Sequence, residues 1–273
     1  MRGSWTLVVV LAGCDLAYGL DRSTCTRDGV VSNHDEDEDG IQDACDLCPH
    51  LASNDEANED GDGLGDQCDP DPTTAQCIAA FEPFERLPPG SFNTVGVWEV
   101  ERDRLVHRTA IAVHELIEIE GTFVEPTIQL TGRFTSIEDR AVDQPMVAGV
   151  YSAIERLVGV EGIAIGAITE LVEQPASEIV LHAVRVRAGE PNGGAFVIET
   201  ETSTSLETSV LQGTEFRLEH AQGAATIGGS AVIEDNRAST QIDSPPVAGT
   251  IGIRAYNAAF EIGYVLVIEA CAP

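Results

Sequence analysis

The sequence predicts a mainly β chain in two parts, an irregular acidic repeat module followed by a β-sandwich. Three observations carry this reading. Two 23-residue units follow each other between Cys25 and Asp69, with aspartate, glycine and cysteine in the same phase. That module has few apolar residues, chiefly Ile41, Leu47, Leu51 and Leu64, so it cannot build an ordinary hydrophobic core. From Cys77 onward the composition changes to short runs rich in Val, Ile and Thr, separated by turn residues.

The first element is a leader. Met1 and Arg2 precede the apolar run Trp5 to Ala12, then Gly13 and Cys14. A basic start, a short apolar run and small residues make a secretory signal over residues 1–13, too short to span a bilayer as a helix. Leu11-Ala12-Gly13-Cys14 resembles the bacterial lipobox. That resemblance implies cleavage before Cys14, a diacylglycerol on its thiol, and a lipid-anchored place in the cell envelope, at the outer membrane or cell surface. Asp15 resembles the inner-membrane retention signal of enteric bacteria. An ordinary signal peptide, or a misplaced start codon with Cys14 incidental, is the alternative. Residues 14–24 read as a tether.

The acidic module occupies residues 25–74. The chain carries a formal net charge of −31, and its 15 cations are all arginine. No basic residue other than histidine lies between Arg27 and Arg86. Nucleic acid is disfavoured as a partner, because neutralising phosphates needs Lys or Arg. A halophilic or GC-rich source would explain the background acidity but not the period. A disordered acidic linker would not keep Asp, Gly and Cys in phase.

Counted from Asp35, positions one, three and five are Asp35, Asp37 and Asp39. Gly40 is sixth, Ile41 seventh, Asp43 ninth and Asp46 twelfth. The second unit counts identically from Asn58: Asp60, Asp62, Gly63, Leu64, Asp66, Asp69. This is the ligand spacing of an EF-hand loop, with glycine at six for a sharp turn and a backbone carbonyl at seven. The carboxylates alone would repel. A hard cation taking about six to eight oxygens resolves the repulsion, and calcium is the expected ion, two or more per chain. The twelfth residue is Asp rather than Glu, and no amphipathic helices flank the loops.

Seven cysteines are odd for an exported chain. Removing Cys14 for lipid leaves Cys25, Cys45, Cys48, Cys68, Cys77 and Cys271, and an oxidising compartment allows three bridges. Many pairings are possible. Cys25 to Cys45 and Cys48 to Cys68 share one spacing, so identical units would pair internally and leave Cys77 with Cys271. A zinc site through Cys45-Asp46-Leu47-Cys48 is the alternative, disfavoured by export and by the surrounding carboxylates.

These residues, from Asp35 to Pro49 and from Asp60 to Asp69 with Asn54 between, resemble thrombospondin type 3 repeats over residues 25–72. The resemblance implies a chain wrapped around calcium ions and cysteines paired at the spacing above. Asn58 departs from it where Asp is usual, which lowers ligand charge. Cys25-Thr26 departs where Cys48-Pro49 conforms.

Residues 77–273 read as the sandwich. Strand-like runs include Val95–Val100, Ile111–Ile119, Thr127–Thr131, Met146–Tyr151, Ile179–Val186, Glu215–Leu218, Ser230–Ile233 and Val265–Ile268. Turn signals lie at Arg102-Asp103, Pro191 to Gly194, Gly228-Gly229 and Asp243 to Pro246. Residues 156–173 are ambiguous between a strand pair and a helix. Phe81-Glu82-Pro83-Phe84 with Val95 to Val100, and Gly252 to Val267, resemble the first and closing strands of concanavalin A-like and laminin-G-like jelly rolls. That resemblance implies adjacent first and last strands, with which a Cys77–Cys271 bridge agrees.

No Ser-His-Asp pattern, phosphate loop or histidine metal cluster appears in the sequence, and no catalytic residue is assigned. The nearest carboxylate group is Glu115, Glu118 and Glu120. Glu118 and Glu120 share a strand face, Glu115 takes the other, and a half-buried strand explains all three. His107, His114, His182 and His220 read as surface or satisfied residues. Trp98 and Tyr256 read as core packing before sugar stacking. The expected role is calcium-stabilised presentation of a sandwich that binds glycan or protein. A carbohydrate-active hydrolase and a purely structural envelope component are the alternatives.

Overall fold

The computed structural model describes residues 26–27, 30–31, 33–55, 57–86, 92–95, 97–108, 114–136, 141, 143–154, 166–173, 178–188, 196–208, 212–246 and 248–271. The leader, Cys14, the tether and Cys25 lie outside them, as does the segment 155–165. The chain divides into two compact units at residues 56 and 57. The first holds β1 (Thr26–Arg27), β2 (Val30–Val31) and the first acidic loop. The second holds the second acidic loop and the sandwich.

The sandwich strands are β3 (Gln76–Glu82), β4 (Phe92–Val95), β5 (Trp98–Val100), β6 (Leu105–His107), β7 (His114–Phe123), β8 (Thr127–Ser136), β9 (Met146–Ile154), β10 (Gly166–Glu173), β11 (Ile179–Ala188), β12 (Phe196–Ser205), β13 (Glu215–Gly223), β14 (Thr226–Ile233), β15 (Asn236–Asp243), β16 (Gly249–Tyr256) and β17 (Ala259–Ala270). There is no helix among the described residues. A seven-stranded sheet runs β12-β11-β10-β9-β16-β7-β4, and an eight-stranded path runs β15-β14-β13-β8-β17-β6-β5, with β3 on β17. All pairings are antiparallel, and the chain crosses repeatedly between the sheets, as in a jelly-roll β-sandwich.

The alternation of apolar and polar residues creates the core. Along β13, and along β15 from Ala238 on, the even-numbered residues are buried and most odd ones exposed, so each strand turns Phe216, Leu218, Ala238 or Ile242 inward and an arginine, glutamate or glutamine outward. Facing them from the other sheet are Ile117, Ala148, Val150, Leu171, Leu181, Ile251 and Ile253. Each fully buried branched or aromatic side chain contributes about 1.5–3 kcal/mol. The first and last strands pair, with Glu269 opposite Cys77, and a disulfide joins Cys77 to Cys271 at a Cα separation of 5.0 Å.

Arg102 and Asp103 form the expected two-residue turn, both with positive φ (51° and 58°), which matches a type I′ hairpin. Gly228-Gly229 is not a turn. Both lie inside β14, and the turns fall at Ala224-Ala225 and Glu234-Asp235. The physical reason is close backbone approach: a Cβ on Gly228 would lie 2.3 Å from Thr240 O, and one on Gly229 2.0 Å from Glu219 O. The later half of the ambiguous segment is a strand, β10, buried along its whole length.

Two buried histidines cross the core. His220 on β13 is fully buried. Thr169 Oγ1 donates to Gly228 O (3.1 Å), so it accepts from His220 Nδ1–H (2.9 Å). Gln222 Nε2 donates to Ser152 Oγ, which in turn donates to His220 Nε2 (2.7 Å). The chain of bonds is complete for a neutral imidazole and ties β13 to β9 and β10 of the opposite sheet. Burial lowers the His220 pKa to about 4. His107 on β6 places Nδ1 2.8 Å from Ala258 O and Nε2 2.6 Å from Glu115 Oε2, with Trp98 and Phe260 packed on its ring.

Candidate functional site

Each acidic loop is closed by its own side chains, and most closing bonds recur 23 residues on. In the first loop Asp39 N donates to Asp37 Oδ1 (3.2 Å), Ile41 N to Asp39 Oδ1 (2.8 Å) and Glu36 N to Asp43 Oδ1 (2.9 Å). In the second, Asp62 N donates to Asp60 Oδ1 (3.2 Å), Leu64 N to Asp62 Oδ1 (2.7 Å) and Glu59 N to Asp66 Oδ1 (2.8 Å). Asp46 and Asp69 accept from Cys48 N and Asp71 N, each at 2.7 Å. An aspartate that bonds the backbone two residues ahead makes a turn. A run of aspartates at alternate positions therefore folds into successive turns that gather carboxylates on one side.

The gathering produces two clusters. Carboxylate oxygens of Asp35, Asp37 and Asp39 lie within 4.8 Å of one another, and so do those of Asp60, Asp62 and Asp69. Asp35 Oδ1, Asp37 Oδ2, Asp60 Oδ2 and Asp69 Oδ2 are buried and accept no hydrogen bond. Such an oxygen costs about 1–3 kcal/mol or more when left unsatisfied. Burial, then the charges of Asp39 and Asp35, raises the Asp37 carboxyl above its ordinary value. Burial, then the charges of Asp62 and Asp60, raises Asp69. All-oxygen donor sets with orphaned carboxylate oxygens fit a hard divalent cation.

The two loops differ at their first position. Asp35 Oδ2 accepts from Gly40 N (2.9 Å), leaving Oδ1 for the cluster. Asn58 uses its amide for the loop itself: Oδ1 accepts from Gly61 N (2.7 Å) and Asp62 N (3.1 Å), and Nδ2 donates to Asp62 O (2.9 Å). Asp69, at position twelve, completes the second cluster in its place. Position four is left-handed in both loops, at Glu38 (φ 62°) and Gly61 (φ 74°), but at position six Gly40 is left-handed (φ 96°) and Gly63 is not. Of the other expected ligands, Asp43 receives His34 Nδ1 (2.8 Å) as well as Glu36 N, and Asp46 and Asp66 serve loop closure. Position seven is Ile41 in one loop and the fully buried Leu64 in the other. His34 was not legible as a loop residue, because its counterpart 23 residues on is Ala57.

A further correspondence ties each loop to the segment on its C-terminal side. Asp39 Oδ2 accepts from Ser53 N (3.2 Å), and Asp62 Oδ2 accepts from Gln76 N, again 14 residues on. Gln76 is the first residue of β3. The sandwich thus begins where a third repeat would continue. Cys45, Cys48 and Cys68 are disulfide-bonded.

On the sandwich, Glu115 and Glu118 do not converge. Glu115 turns inward to His107, Glu118 is buried on the outer face of the seven-stranded sheet, and the Glu120 side chain lies outside the described residues. A charged row crosses that outer face: His182, Glu170 and Arg254 lie on β11, β10 and β16, spanning Gly149 on β9. Arg254 Nη1 bonds Glu170 Oε2 at 2.5 Å, and His182 Nδ1 lies 3.6 Å from Glu170 Oε1. The bond to Glu170 raises the His182 pKa. A Cβ on Gly149 would lie 2.7 Å from that of Glu170, so only glycine lets the row close. Glu118 and Glu170 stand three strands apart and two residues out of register, about 16 Å at the backbone, against about 5–9.5 Å for a glycosidase pair. Trp98 packs in the core on His107 (4.5 Å) and Phe260 (6.0 Å), and Tyr256 Oη bonds Gln144.

No protein-family model and no curated protein matches the sequence. Among solved structures, a legume lectin-like domain from Entamoeba histolytica is 12% identical, with a TM-score of 0.49 over 67% of this chain and 93% of that one. The carbohydrate binding module CBM66 from Bacillus subtilis is 12% identical, with a TM-score of 0.46 over 65% and 94%. A glycoside hydrolase family 16 endo-glucanase from Bacteroides ovatus is 7% identical, with a TM-score of 0.45 over 70% and 100%. Among the described residues the chain is all β, with two antiparallel sheets in a jelly-roll sandwich.

Proposed function

We propose that the two aspartate loops bind calcium, at least one ion each, and that this is an exported, lipid-anchored envelope protein whose calcium-stabilised repeats carry a β-sandwich for binding glycan or protein. The observation that carries the calcium reading is the pair of carboxylate clusters with buried, donor-free oxygens. Asp35, Asp37 and Asp39 would hold one ion, and Asp60, Asp62 and Asp69 another. Backbone carbonyls at Ile41 and Leu64, the remaining loop side chains and water would complete the shell. Two carboxylates about 4 Å apart repel by about 4 kcal/mol at a surface-like dielectric, and a divalent ion turns that into attraction. Clusters of several carboxylates in irregular loops suit calcium better than magnesium, which demands near-octahedral geometry and keeps its waters. The lipid anchor rests on Cys14 and its preceding residues.

Calorimetric titration of the full chain with calcium and with magnesium, followed by circular dichroism, tests the metal reading. Two or more calcium ions with a gain of order are expected; equal order without calcium contradicts it. Glycan-array and matrix binding, with calcium and with chelator, tests the sandwich, and absence of binding in both leaves a structural role. Cys14→Ser should release the protein from the membrane fraction.

A further inference from the structure

A groove of about 490 Å³ crosses the outer face of the eight-stranded sheet, and its walls carry Arg104, Arg133, Arg217 and Arg237. This is unexpected in a chain with 46 acidic residues and 15 arginines. The strand register explains how it is built. Arg237 on β15, Val232 on β14, Arg217 on β13 and Thr131 on β8 are direct cross-strand partners and share one face. Val232 lies between Arg237 and Arg217, and Thr131 flanks Arg217 on its other side. Arg133 is paired with Glu261 (2.6 Å), and Arg104 approaches the same carboxylate (3.8 Å). Arg217 and Arg237 make no ion pair among the described residues. Glu215 and Glu234 also line the groove, so that with Glu261 counted it holds four arginines against three carboxylates, one more positive than negative side chain. Two unpaired arginines held side by side repel each other, and acids are abundant enough that pairing would be the default.

We infer that this groove binds the sulfate or carboxylate groups of an acidic glycan, with Arg217 and Arg237 as its principal contacts. The inference rests on the binding role proposed above and names the class of ligand. Arg217 and Arg237 stand two strand spacings apart, roughly 10 Å at the backbone. They can converge on one anion or hold two successive ones, and guanidinium suits both through paired hydrogen bonds. The groove volume is that of a small-ligand site, about 300–1,000 Å³. An anionic membrane or a nucleic acid presents a broad field that a chain of net charge −31 repels as a whole. A slender saccharide with separated charges meets mainly the groove.

The test passes the calcium-loaded full chain over immobilised dextran sulfate, carboxymethyl dextran and neutral dextran, and over anionic phospholipid vesicles, at low and high ionic strength. The inference expects salt-sensitive binding to the two charged dextrans and not to the neutral one. R217A/R237A, both exposed positions, should weaken that binding roughly tenfold or more while thermal unfolding is unchanged. Charged dextrans that bind no better than neutral dextran overturn the inference. So does a double variant that binds like wild type, or arginine-dependent binding to the vesicles alone. Binding lost to chelator yet untouched in R217A/R237A assigns the contact to a cation in the acidic loops and also overturns it. Binding to a neutral glycan that survives both substitutions defeats this inference while leaving the broader binding role standing.

Discussion

His220 should make the fold acid-labile before its carboxylates do. The imidazole is fully buried between the sheets, neutral, and satisfied on both nitrogens by hydroxyls that are themselves engaged. Its pKa falls from 6.5 to about 4 through burial. The unfolded chain takes up a proton as pH drops through about 6.5, while the folded chain stays unprotonated here until about 4. The contribution to stability is therefore complete above pH 6.5, declines below it, and is lost by about pH 4. One proton gives a slope of about 1.4 kcal/mol per pH unit, so the full loss is about 3 kcal/mol. Urea denaturation of wild type and His220→Gln between pH 7 and pH 4 (roughly the window of this titration) measures it. Calcium release and carboxylate titration affect both proteins, so the difference between them isolates this residue. Stability curves that run parallel across the window refute the reasoning. The two curves should instead converge as pH falls.

The remaining predictions concern the loops, a buried pair, one glycine and the disulfide. Asp37→Ala and Asp60→Ala should each remove one calcium site and leave the other, as read by calorimetric stoichiometry; two sites surviving in either variant contradicts the assignment. Glu115→Ala leaves His107 buried against Ala258 O without its carboxylate, and should cost about 3–5 kcal/mol in denaturant unfolding. Gly252→Ala puts a Cβ 2.5 Å from Ile117 O and 2.6 Å from the Tyr151 ring, so overpacking should cost about 1–3 kcal/mol in thermal unfolding. Cys77→Ser with Cys271→Ser opens a closure spanning 194 residues. A loss of about 2–5 kcal/mol is expected, with no loss arguing that the strand pairing alone holds the ends.

The acidic loops were legible because their information is local. Twelve consecutive residues set both the turns and the carboxylates that the turns gather, so Asp35, Asp37, Asp39, Asp60, Asp62 and Asp69 converge as their spacing implies. The contact of Asp62 with Gln76 was not read, although it obeys the same 23-residue offset as Asp39 with Ser53. Gly228-Gly229 misled because glycine marks both turns and close backbone approach, and only the neighbouring strands distinguish the two. Glu118 reads as an exposed polar position on a half-buried strand, yet it is buried, because side chains on both faces of that sheet's central strands are buried among their neighbours.

By itself the sequence determined the phase of both loops and the partnership of Cys77 with Cys271 by subtraction. These come from short-range turn chemistry and from counting. Only the tertiary structure decided which strands meet and which face each side chain takes. Strand register is a long-range property: a shift of one residue moves every side chain to the opposite face. That is why His220 met Ser152 and Thr169, why Glu170 met Arg254 across Gly149, and why Arg217 and Arg237 came to stand together. No spacing along the chain encodes those meetings, since each joins strands that are distant in sequence or brings out a face that only the register selects.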